Sequence, residues 1–249
     1  MTPRTLLALG AAVLAFSAGA LAFDGTTGLG VDVAVAAETS HDAAPVHVTN
    51  ADLRRVDSIE LDAEALVLRD GDDTVVESSM RDSGLTVSVL NRLLGTPSRT
   101  QTAEGDGGAC FPAGTTYTWG GAVRVAALTT DAAAGNAVEI RVLRDAVRST
   151  FGRQIELTGP DGVRVGDDIG DEIADAPRSE RVSFGTDDSR AWQLLLREGW
   201  ADRHHDDGDD HESGKRTDDA GTNGVSALTN ETTVTVLGSP MPVHAQRSC

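Results

Sequence analysis

The chain has 249 residues and a formal charge of −18, and all but one of its 21 basic residues are arginine, the exception being Lys215. This balance excludes backbone recognition of DNA or RNA, which needs clustered Lys and Arg to displace counterions, and equally an anionic membrane surface. The length suits one elaborated domain or two small ones, and one is expected because no Pro/Ser/Gly linker divides the middle of the chain.

In chain order, the first element is a leader. Leu6 to Ala22 is an unbroken run of apolar and small residues behind a short polar start carrying Arg4. It closes on Ala20-Leu21-Ala22, the small-x-small pattern that a signal peptidase cuts. Residues 1–22 therefore read as a signal peptide cleaved between Ala22 and Phe23. A retained membrane anchor is the alternative, since the run approaches the roughly 20 residues that span a bilayer. Gly10, Ser17 and Gly19 dilute it, and no basic stop-transfer flank follows. A twin-arginine pair is absent, which favours export before folding. The mature chain is expected outside the cell or at its surface, with no membrane contact after the leader is removed.

Residues 23–37 read as an N-terminal strand. Val31, Val33 and Val35 take one side of a period-2 alternation, and Asp32, Ala34 and Ala36 the other. Residues 38–249 then form the body, mostly strand signals separated by turn chemistry. Strands are expected at Pro45 to Thr49, Ser58 to Arg69 (closed by Asp70-Gly71), Leu85 to Val89, and Thr115 to Leu128. In the last of these, Gly120-Gly121 marks a bulge or a bend. Val138, Ile140 and Val142 face inward. Arg153 to Thr158 and Val163 to Val165 flank Gly159-Pro160-Asp161-Gly162 as a hairpin, and Arg181 to Phe184 and Thr232 to Leu237 complete the strands. Helical spacing occurs at Arg144 to Phe151 and at Ser189 to Trp200, the latter through Trp192, Leu195, Leu196 and Trp200. Many short strands with one or two short helices imply an all-β fold, a single β-sandwich or jelly-roll-like domain.

Few residues offer chemistry. Cys110 and Cys249 lie in an exported chain, where a bridge would pin the C-terminus to the mid-chain Gly-rich loop; two unpaired thiols are the alternative. Asp202 to Glu212 interleaves His204, His205 and His211 with aspartates that could ligate a divalent metal, but the spacing fits no metal loop. The stretch 201–224 lacks the apolar residues that would offset its ordering entropy, and reads as a disordered acidic insertion with no metal or cofactor assigned. Nucleophile elbow, zinc-protease, phosphate-loop and dinucleotide patterns are not found. Asp167-Asp168 and Asp187-Asp188 read as surface charge, and His41, His47 and His244 are isolated. Asn230-Glu231-Thr232 is a glycosylation sequon at the entry to the last strand.

Ala22-Phe23, Val31 to Ala37, Phe111 to Trp119, Val138 to Val142 and Thr232 to Leu237 together resemble a haloarchaeal family of exported β-sandwich proteins. That family is in turn similar to the TasA/camelysin group of surface-fibre and biofilm-matrix proteins. The cysteine pair and the acidic insertion depart from the pattern. The acidic, lysine-poor composition likewise resembles that of extreme halophiles, whose salt screens self-repulsion within about 3 Å at 1 M. The resemblance implies assembly, with the strand carrying Val31, Val33 and Val35 donated to a neighbour's open sheet edge; pairing within its own subunit is the alternative. The expected function is a non-enzymatic structural protein that associates with itself or with other surface proteins. A monomeric cell-surface binding module, taking a divalent metal through the His/Asp stretch, is the rival.

Overall fold

A computed structural model describes residues 48–105, 113–132, 135–186, 190–201 and 222–243. The first element is helix α1, Asn50–Arg55, opened by a capping box. The Asp52 amide donates to the Thr49 hydroxyl at 3.1 Å, and the Thr49 amide donates to the Asp52 carboxylate at 3.0 Å. Its far end is closed by Arg153, whose guanidinium donates to the Arg54 and Arg55 carbonyls at 3.1 and 3.0 Å.

Three strands follow as an antiparallel meander: β1 (Ser58–Leu61), β2 (Ala65–Asp70) and β3 (Asp73–Ser79), the last turn made by Gly71 at φ +60°. Helix α2 is Ser83–Leu94, with the Asp82 carboxylate accepting from the Leu85 amide at 2.8 Å. A second meander runs through β4 (Arg99–Ala103), β5 (Gly114–Trp119), β6 (Val123–Leu128) and β7 (Val138–Val142). β8 (Ala146–Arg148) and β9 (Gln154–Thr158) form a hairpin, and β9 pairs in parallel with β1. After α3 (Gly170–Asp175), a third meander comprises β10 (Arg181–Phe184), β11 (Ala191–Ala201), β12 (Thr222–Asn230) and β13 (Thr233–Ser239).

The result is a five-stranded sheet, β3-β2-β1-β9-β8, and an eight-stranded sheet, β10-β11-β12-β13-β7-β6-β5-β4, in which the β13–β7 pairing joins the second and third meanders. Ile59, Leu61, Leu68, Ile155 and Leu157 of the first share one core with Val123, Val125, Ile140, Val142 and Leu237 of the second, all fully buried. Each such side chain contributes about 1.5–3 kcal/mol by leaving water. Buried polar groups also tie the sheets together: the Asn223 amide and, at 3.2 Å, the Ser239 hydroxyl both donate to the Ala63 carbonyl between β1 and β2. The all-β, sandwich-like expectation is met, with thirteen strands and three short α-helices among the described residues.

Individual elements depart from their expected forms. Leu85 to Val89 is not a strand but the middle of α2, where Thr86, Val89, Leu90 and Leu93 are buried at helical spacing. Both expected helices are strands. Arg144 to Phe151 holds β8, turned into β9 by the Ser149 amide donating to the Arg153 carbonyl at 2.8 Å around Gly152. Ser189 to Trp200 holds β11, paired along its length with β12 and bulged at Leu196. Val163 to Val165 makes no hairpin strand: Pro160–Gly162 is a 3-10 turn, and the chain runs on to bond β13 through the Gly166 amide and the Val234 carbonyl, 2.8 Å. Val48 and Thr49 lead into α1 rather than forming a strand, and 45–47 lie outside the described residues. The Ser58 to Arg69 run is two strands around Asp62, and Gly120-Gly121, both at positive φ (+56° and +66°), begins the three-residue turn, closed by Ala122, of a β5–β6 hairpin. At the ends of the acidic stretch, Ala201 belongs to β11 and Thr222 to Gly224 to β12.

Candidate functional site

Where β1–β3 meet β11, the chain leaves a cleft of about 380 Å³ lined by Asp62, Glu64, Arg69, Glu77, Arg197 and Glu198, with Ala63, Ala65 and Val67 between them. Both guanidiniums are already paired, Arg69 with Glu60 at 2.8 Å and Arg197 with Asp62 at 2.7 Å. What remains on offer there is carboxylate. No histidine, cysteine or lysine falls among the described residues, and no three acidic groups among them stand close enough to hold a metal ion.

The sheet rims offer something different. Among the described residues, each outer strand is paired with a strand on one side only, and such a rim is a template for another strand. The rims are β3 and β8 in one sheet and β10 and β4 in the other. β3 carries Asp73 and Glu77, β8 has only three residues, and β10 follows directly on Glu180. β4, Arg99-Thr100-Gln101-Thr102-Ala103, is exposed throughout and holds neither carboxylate nor proline. Hydroxyls anchor it to β5: Ser98 donates to the Thr118 carbonyl at 2.9 Å, and the Thr102 and Thr115 hydroxyls meet at 3.3 Å.

Behind this rim, Tyr117 and Trp119 stack with ring centres 6.0 Å apart. The buried Trp119 indole donates to the Gly95 carbonyl at 2.9 Å, fixing the end of α2 to β5. Between α2 and the sheet lies an open groove of about 520 Å³, lined by Val87, Asn91, Arg92, Tyr117 and Ala127. Arg92 also reaches the point where the described chain begins, donating to the Val48 carbonyl at 2.7 Å and to the Asn50 side chain at 2.9 Å.

Charge is distributed unevenly around this face. From Ser83 to Thr130, which spans α2, β4, β5 and β6, Glu104 and Asp106 are the only two of the chain's 39 acidic residues, and Arg92, Arg99 and Arg124 are the basic ones. On the opposite face of β7, Arg141 lies against Gly238; burial pulls its pKa down from the usual arginine value, Glu139 opposing and Arg124 adding to the shift.

Ala22 and Phe23, the donor-strand residues Val31, Val33 and Val35, both cysteines (Cys110 and Cys249) and the histidines of the acidic stretch lie outside the described residues. Asn230 is described: it is exposed, ends β12, and precedes a turn in which Glu231 takes φ +55°. Asp167 and Asp168 hold a loop, accepting from the Arg164 and Gly170 amides at 2.8 and 3.1 Å. β4 was missed because an exposed rim strand has no apolar alternation to betray it. The gap in carboxylates from 83 to 130 was the legible signal. No family model, curated protein or solved structure matches this chain.

Proposed function

We propose that this is an exported structural protein of a halophile's surface or extracellular matrix, without enzymatic activity, whose copies join when the N-terminal strand of one completes the sheet of another. The observation that carries the reading is the β4 rim of the eight-stranded sheet, outermost among the described strands and exposed at all five positions. The alternating valines Val31, Val33 and Val35, just beyond the expected cleavage point, supply a strand suited to such an edge. Electron microscopy of the purified protein in molar salt tests the reading: filaments are expected, and dispersed single particles at every concentration would overturn it.

The rival reading is a monomeric surface-binding module that takes a divalent metal through the His/Asp stretch Asp202 to Glu212. It predicts dispersed particles together with a rise in melting temperature when a divalent cation is added.

A further inference from the structure

Five asparagines occur in the chain, and Asn230 alone is followed at the second position by a hydroxyl residue, Thr232. The fold puts this sequon on the surface. Asn136 and Asn223 are buried, whereas Asn230 is exposed at the end of β12, where Glu231 and Thr232 turn the chain into β13.

Two strands away lies an apolar side chain without cover. Phe184 is 44% exposed, the most of any large hydrophobic side chain among the described residues. It pairs with Ala191 on β11. The register that sets Gln193 opposite Leu228 brings Ala191 opposite Asn230, and one pair further on the Glu231 amide donates to the Arg190 carbonyl at 2.9 Å. Residues directly opposite in a ladder project to the same side, so Phe184, Ala191 and Asn230 form one row. With strands about 4.8 Å apart, the two ends of the row stand about 10 Å apart, and only the small Ala191 side chain lies between them. An asparagine side chain and one pyranose ring bridge such a gap. Gln193, the next residue on that side of β11, is buried and donates to the Met241 carbonyl at 3.0 Å, whereas Phe184 and Asn230 are both exposed.

We infer that Asn230 carries an N-linked oligosaccharide whose first sugar ring lies over Phe184. The donor is a lipid-phosphate-linked oligosaccharide met during export. The Asn230 side-chain nitrogen bonds to C1 of its first sugar and gives up one proton. The bond from C1 to the phosphate oxygen breaks, and the lipid phosphate leaves with that electron pair. In the folded hairpin the sequon is tied down, by the Glu231 amide on Arg190 and by the Thr229 hydroxyl donating to the Glu231 carbonyl at 2.6 Å. Transfer therefore belongs to the chain before β12 and β13 pair. Once the hairpin closes, the C–H bonds of the sugar meet the negative face of the phenyl ring and take it out of water. The inference rests on the export in the proposed function and not on assembly.

Mass spectrometry of the protein recovered from outside its source cells tests the attachment, read on the tryptic peptide 217–247, which holds the sequon. A sugar mass on Asn230 is expected in the wild type and in Thr232→Ser, and none in Thr232→Ala or Asn230→Gln. Thermal unfolding tests the seat. Asn230→Gln is expected to lower the melting temperature by about 2–4 °C, and by much less when Phe184→Ala is already present. Exported protein with a bare Asn230 overturns the inference and leaves the export reading standing. Protein found only inside the cell, with Asn230 bare, overturns both. An equal loss with and without Phe184 overturns the seat on the ring. Glycosylated protein that stays monomeric upholds the inference and overturns the assembly alone.

Discussion

Gly114 shows how closely single positions are constrained. An added Cβ there would stand 2.5 Å from the Ala127 carbonyl oxygen, a backbone atom in the paired strand. Gly114→Ala must therefore push β5 away from β6, and a loss of about 1–3 kcal/mol is expected from the denaturant midpoint in high salt, the range for overpacking. At the entrance to α1, the Thr49 hydroxyl and then the Thr49 amide hold the Asp52 carboxyl below its ordinary aspartate value. A depressed folded pKa contributes stability that is present above the unfolded pKa and is lost as pH falls through the folded one. Thr49→Ala should raise the Asp52 midpoint toward that ordinary value, which a carboxyl-detected NMR titration reads directly; an unmoved midpoint would remove the capping box as its cause. Arginine's planar fork suits the backbone work it does here: Arg153 closes α1, Arg181 donates to the last carbonyls of α3, and Arg92 holds Val48. A lysine ammonium at these places would reach one acceptor less rigidly.

Among the elements, α2 is the instructive case. Leu85, Val87 and Val89 alternate as in a strand, while the helical set 86, 89, 90, 93 is masked by a polar member, Thr86. Thr86 tolerates full burial because its hydroxyl meets that of Ser78 at 2.8 Å and donates to the Asp82 carbonyl at 2.8 Å. The Asp82 cap tips the balance toward helix, so Asp82→Ala should cost about 1 kcal/mol, read as a shifted midpoint in chemical unfolding. β11 deceives in the other direction. Leu194 faces the core, and Leu195 on the outer side meets Gly224, where the segment after β13 crosses back and Gln193 donates to the Met241 carbonyl at 3.0 Å. Apolar residues on both faces erase the period-2 signal and leave spacings that mimic a helix. Strands with one polar face, such as β7 with Val138, Ile140 and Val142 inward and Glu139 and Arg141 on the other side, were legible from the sequence; rim strands and strands apolar on both faces were not. The rims of the sheets were not legible, because the order of strands, which decides which of the described strands lie outermost, is set by pairing between distant segments.

At the scale of the whole molecule, a formal charge of −18 makes copies of the chain repel one another at low salt. Salt of molar strength shortens the range of that repulsion to about 3 Å, the condition under which the proposed assembly is expected. In the assembly proposed above, the leading strand is the part that crosses from one copy to the next. Sedimentation velocity in molar NaCl therefore tests the central claim most directly, comparing a chain beginning at Phe23 with one beginning at Glu38. The account predicts large, concentration-dependent species for the first and a monomer for the second. Monomers from both would contradict it.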